Sequence, residues 1–126
     1  MTRFRYLLGA LPLLGVALAP AFAADESTSP GRKIFESRCV SCHESAPPST
    51  STLGPSLAGI FGRKAGSGSS GVHSRALAES GIVWTRASLR NYLSDPGRAV
   101  PGTIMPMRVE NPRELEDLLN YLETLR

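Results

Sequence analysis

The sequence predicts an all-α domain of three or four short helices joined by long loops. Three observations carry that prediction. No stretch after residue 23 alternates apolar and polar residues with a period of two. Each helix-like pattern has its own starting and stopping residue. The intervening loops, rich in Gly, Pro and Ser, hold more chain than a small side-chain core supports, so something other than side chains should fill the middle.

Residues 1–23 stand apart as a cleaved export leader, leaving 24–126 as one small domain. Arg3 and Arg5 precede an apolar stretch from Tyr6 to Leu18, and Ala21 and Ala23 flank Phe22 as a small-residue cleavage signal. Gly9, Pro12 and Gly15 interrupt the apolar stretch, which is shorter than the roughly 20 residues of a spanning helix. No cysteine lies near the cleavage point, which excludes lipidation there, and no stable membrane anchor is expected. The expected compartment is the periplasm.

The first helix begins at Ser29-Pro30, a capping residue followed by proline in the first turn, and runs through "GRKIFESRCV" with Ile34 and Phe35 on its apolar face. The segment 44–71 reads as loop, with at most a turn at Ser56–Ile60. A short helix runs from Ser74 through Glu79 and stops at Gly81. Thr85 caps the next, where Leu89, Tyr92 and Leu93 share a face and Pro96 ends the run. In the last, Asn111 caps, Pro112 takes the first turn, Glu114 completes a capping box, and Leu115, Leu118, Leu119 and Leu122 form one stripe. That stripe should pack on the first helix.

The leader takes two of the fourteen basic residues against eleven acidic ones, so the mature chain is near neutral. Its only lysines are Lys33 and Lys64. A nucleic-acid-binding surface is not supported.

The chemistry is concentrated in Cys39-Val40-Ser41-Cys42-His43, which holds the only two cysteines and one of two histidines. A thioredoxin-type dithiol needs a preceding strand, and here a helix precedes. A zinc site could draw only on Cys39, Cys42, His43 and His73. A disulfide would close a tiny loop and leave His43 unexplained. Covalent haem attachment uses every residue: two thiols a turn apart reach two vinyl groups, and the histidine reaches the iron. A second axial donor is available in Met105 or Met107, within the stiff loop "PGTIMPM"; core filling is the competing role for either.

In order and spacing, "CVSCH", "LGPSLAGIFGRKAG", "GIVW", "YLSDPGRAVPGTIM" and "DLLNYL" resemble the class I c-type cytochromes, the mitochondrial and bacterial periplasmic cytochrome c family, from Gly31 to the C-terminus. The resemblance implies a small cytochrome c fold around one haem c, bonded to Cys39 and Cys42, with His43 and Met105 on the iron and His73 as the rival ligand. It also implies Pro55 packed on His43, whose Nδ1 bonds a carbonyl of the preceding segment. Trp84, Arg63 and Thr103 would hold or compensate propionates, and the Tyr92 hydroxyl would bond the Met105 sulfur. Gly31, Phe35, Leu118 and Tyr121 match the family's crossing of first and last helices. His73 stands where many members carry a tyrosine, and a polar contact and a pH-dependent potential are expected of it.

The loop "ESAPPSTST" lacks basic residues, and Ile104 replaces a common lysine beside the axial methionine, so long-range steering of partners should be weak. The implied function is single-electron transfer between redox proteins: a membrane oxidase, a bc-type complex or a periplasmic dehydrogenase. The chain is then a monomeric carrier rather than an enzyme, or alternatively the small haem subunit of a heteromeric dehydrogenase. A haem sensor or peroxidase with a labile Met105 is the third reading.

Overall fold

The computed structural model describes residues 28–47, 50–68 and 72–126. The segment 1–23, expected to be an export leader, lies outside the described residues. Among the described residues five helices follow one another: α1 (Pro30–Arg38), α2 (Arg75–Glu79), α3 (Arg86–Ser94), α4 (Pro96–Ala99) and α5 (Pro112–Thr124). Among the described residues there is no strand; Lys64 and Val83 form one isolated antiparallel bridge. No helix there is long and apolar enough to cross a membrane.

Local signals set the helix starts. Ser29 Oγ accepts the Arg32 N–H, Ser74 Oγ the Leu77 N–H, and Asn111 Oδ1 the N–H groups of Arg113 and Glu114. Thr85 and Ser88 cap α3 reciprocally. The expected box at α5 differs in one half: the Glu114 carboxylate pairs with Arg38 at 3.1 Å and so ties α5 to α1.

α1 also stops sooner than expected. The N–H groups of both Cys39 and Val40 donate to the Phe35 carbonyl, which closes the helix and turns the chain before His43. Pro96 ends α3 as expected but opens α4 as well, because Asp95 accepts the Arg98 N–H at 3.1 Å and caps one further turn.

The crossing of α1 and α5 organises the core. Leu118 and Leu119 are fully buried (0 % exposed), and Phe35 meets Tyr121 at a centroid distance of 5.4 Å. Gly31 allows this approach: a Cβ there would lie 1.9 Å from the Asp117 carbonyl oxygen. α3 covers the other flank, with Leu89, Tyr92 and Leu93 buried and the Trp84 and Tyr92 rings 5.1 Å apart. The Val109 N–H donates to the Leu93 carbonyl, drawing the segment before α5 onto α3.

On the outer face of α3 and α5, Glu116 accepts from Arg90 at 2.6 Å and from Arg86 at 2.9 Å, and Arg86 also reaches Glu123 at 3.0 Å. These hydrogen bonds, that of Arg90 first, hold the Glu116 carboxyl down at about 2 from an ordinary 4.5. Because the folded value is depressed, the stabilisation is present above about pH 4.5 and is lost as pH falls toward 2. Glu116→Gln should therefore lower stability at neutral pH, and the difference from the parent should vanish between pH 4.5 and 2 in acid-unfolding curves. A difference that persists unchanged to pH 2 would contradict the pairing.

Candidate functional site

The helices leave a cavity of about 250 Å³ whose wall is mostly apolar. Its contributors come from every part of the fold. The turn after α1 supplies Cys39, Cys42 and His43; the loop 53–66 supplies Pro55, Leu57 and Arg63. His73 enters from the segment before α2, and Trp84, Tyr92 and Leu93 from the α3 region. Thr103, Met105 and Met107 come from the loop before α5, and Leu118 and Leu122 from α5 itself. Every site residue expected from sequence thus lines one cavity.

The cysteine turn is built by hydrogen bonds from the Cys42 and His43 N–H groups to the Cys39 carbonyl, at 3.1 and 2.8 Å. Cys39 is buried and Cys42 exposed, and no disulfide joins them. Burial pushes the Cys39 thiol up to about 11, although Arg38 pulls it down. That is opposite to the lowered thiol of a redox dithiol. Among the described residues, no three His, Cys, Asp or Glu side chains come together as a metal site, so the zinc set of Cys39, Cys42, His43 and His73 is not assembled.

His43 has a fixed role in this geometry. Its Nδ1 lies 2.8 Å from the Pro55 carbonyl oxygen. A carbonyl only accepts, so Nδ1 carries the proton and Nε2 keeps the lone pair that can bind a metal. The accepting carbonyl belongs to Pro55 itself rather than to the preceding segment. Gly54 completes the seat: a Cβ there would stand 2.7 Å from His43 Cε1 and 2.8 Å from Nδ1. Ser51 Oγ donates to the Cys42 carbonyl at 2.8 Å, closing the same loop over the motif.

On the methionine loop, the Thr103 N–H donates to the Val100 carbonyl at 3.0 Å. The Tyr92 hydroxyl is bonded to Thr103 Oγ1 at 2.6 Å, not to the Met105 sulfur as expected. It ties the loop to α3 one step earlier in the chain. Met105 and Met107 are both partly buried against the core.

Arg63 is partly desolvated, and burial lowers its pKa; one guanidinium N–H donates to the Ser56 carbonyl at 2.7 Å. His73 Nδ1 is buried and has no partner among the described residues, so the polar contact expected of this side chain is not made there at Nδ1. An apolar cavity with two thiols, an oriented imidazole, thioethers and an unpaired buried polar atom on its wall fits an iron tetrapyrrole with acidic side chains. Contributions from sequence-distant loops escaped the sequence reading: Gly54, the Pro55 carbonyl and the Ser56 carbonyl act through backbone, and only the Gly-Pro pair hinted at them.

The family model for cytochrome c matches residues 28–126. Cytochrome c2 of Blastochloris viridis is 35% identical over 120 residues, covering 94% of this chain and 92% of that protein. Cytochrome c type-1 of Ascaris suum is 40% identical over 94 residues, covering 74% and 83% of the two chains. The solved structure of cytochrome cH from Methylobacterium extorquens superposes with a TM-score of 0.66 at 37% identity, covering 75% of this chain and 95% of that one. With the attachment motif, the helix crossing and the cavity in place, these likenesses put the chain in the cytochrome c family of electron carriers, whose covalent haem c attachment motif Cys39 and Cys42 fit.

Proposed function

We propose that residues 24–126 form an exported, periplasmic single-electron carrier whose haem iron is held by His43 and Met105. The observation that carries this reading is the imidazole of His43, set by the Pro55 carbonyl with Nε2 free, on the wall of the cavity that also holds both cysteines and Met105. The bound group supplies the one-electron iron couple. The chain supplies the rest. Cys39 and Cys42 hold the group by thioether bonds, and the Pro55 carbonyl makes His43 a more basic ligand. Leu93, Leu118 and Leu122 exclude water from the cavity, while the Tyr92–Thr103 bond positions the loop that carries Met105. A thioether donor raises the potential relative to a second imidazole. With two protein donors on the iron, no position is left for a substrate.

Gly54→Ala tests the seat of His43. The added methyl must displace the imidazole or the loop, so the ferric spectrum and the potential should both shift; a variant superimposable on the parent would contradict the arrangement. The location is tested by fractionating the native host. A periplasmic holo-protein beginning at Ala24 is expected, and recovery of an uncleaved chain in the membrane fraction would overturn it.

A second reading, the electron-accepting subunit of a periplasmic dehydrogenase, is favoured by the weak surface charge of the mature chain and by the loop "ESAPPSTST", which carries no basic residue. Gel filtration of the native periplasm distinguishes the two: a stable heteromer supports the subunit, a monomer the shuttle.

A further inference from the structure

A hydroxyl offers one proton and two lone pairs, and that of Ser51 uses all three. Its proton goes to the Cys42 carbonyl at 2.8 Å, and its oxygen accepts the N–H groups of Leu53 at 3.2 Å and Gly54 at 3.4 Å. The side chain thereby joins two segments that both bear on His43. Cys42 precedes the histidine in the chain, and Gly54 precedes Pro55, whose carbonyl oxygen lies 2.8 Å from His43 Nδ1.

These bonds close a ring. It runs from Ser51 Oγ to the Cys42 carbonyl, along the chain to His43, from Nδ1 to the Pro55 carbonyl, back to Gly54 and through its N–H to Ser51 Oγ. The ring is tightly packed: a Cβ on Gly54 would stand 3.0 Å from the Cys42 carbonyl oxygen as well as 2.7 Å from His43 Cε1. Gly54 is buried, so water replaces the bond to its N–H poorly once Ser51 Oγ is gone. Other ties hold the same loop without entering the ring. The Glu44 carboxylate accepts the Thr50 N–H at 2.8 Å and the Thr50 hydroxyl at 2.9 Å, and the Glu44 carbonyl accepts the Leu57 N–H at 2.9 Å.

We propose that Ser51 is a positioning residue for the axial histidine: its hydroxyl holds the Gly54-Pro55 segment so that the Pro55 carbonyl stays on His43 Nδ1, and thereby sets how strongly the imidazole donates. The inference rests on the haem reading above, with His43 on the iron. A carbonyl that draws on the Nδ1 proton makes the ring a more basic ligand, and a stronger donor favours the ferric state. Without Ser51 Oγ the Nδ1 bond slackens, the imidazole donates less, and the potential rises. Removing an outer-shell partner outright costs roughly tenfold or more. Ser51 acts one bond further out, and a loss of about threefold in the preference for ferric iron reads as a rise of about 28 mV, at about 59 mV per tenfold for one electron. The Nδ1 proton, released more often, exchanges with water about fivefold faster, the equivalent of one ordinary hydrogen bond.

The test compares the holo-proteins of the parent, Ser51→Ala, Ser51→Thr and Thr50→Val by midpoint potential and by NMR exchange of the His43 Nδ1 proton in the ferrous state. Ser51→Ala should raise the potential and speed the exchange. Ser51→Thr keeps the hydroxyl and should restore both; Thr50→Val loosens the loop outside the ring and should leave both at the parent's values. An unmoved potential and exchange rate in Ser51→Ala, no recovery in Ser51→Thr, or an equal shift in Thr50→Val would overturn the proposal, the last by tracing the effect to the loop as a whole. His43 ring resonances displaced by the haem ring current in the ferrous parent report separately on the ligand. Undisplaced, they overturn the haem reading and this proposal together; displaced, with Ser51→Ala silent, they leave that reading standing and only the role of Ser51 falls.

Discussion

Gly31→Val is expected to destabilise the holo-protein by on the order of 3 kcal/mol or more, the upper range of overpacking. The new Cβ would lie 1.9 Å from the Asp117 carbonyl oxygen and 2.7 Å from Tyr121 Cβ, and the first of these is backbone that cannot rotate away. α1 and α5 must separate, which opens the contacts of Phe35 with Tyr121 and of the fully buried Leu118. At about 4–8 °C per kcal/mol for a domain of this size, Tm should fall by more than about 12 °C. Thermal melts followed by circular dichroism check it. A Tm within a few degrees of the parent's would mean that the crossing is looser than drawn.

Met105→His should retain haem and fold but lower the midpoint potential by tenths of a volt, within the span of about 0.8 V over which axial ligands set haem potentials. The direction follows from the donor: thioether sulfur favours ferrous iron, and a second imidazole favours ferric. Spectroelectrochemical titration measures it. An unchanged potential would show that residue 105 is not on the iron.

Much of the fold was legible because its signals are local. Ser29-Pro30, Thr85 and Asn111-Pro112 each cap a helix within four residues of themselves, and the leucine stripe of α5 follows from periodicity alone. α4 was not legible: four residues carry no periodicity, and its start depends on the rotamer of Asp95. The premature end of α1 likewise turns on which carbonyl the Val40 N–H finds.

The site divides the same way. Cysteines, histidine and methionine announce their chemistry by residue type, and the resemblance in motif order brought the supporting residues with them. What the residue types could not show was pairing. Tyr92 is bonded to Thr103 Oγ1 at 2.6 Å rather than to the Met105 sulfur, a pairing that both polar groups satisfy equally well by type. His43 takes the carbonyl of Pro55 itself, a backbone atom with no signature in the sequence. The orphaned nitrogen of His73 depends on what surrounds it, and histidine as a letter says only that it can titrate.

The axial pair of His43 and Met105 is the central claim, and the iron–thioether charge-transfer band of the ferric holo-protein tests it most directly. The band should be present in the parent and in Met107→Ala and absent from Met105→Ala. Its persistence in Met105→Ala, or its absence from the parent, would contradict the claim and point to Met107 or to His73 as the sixth ligand.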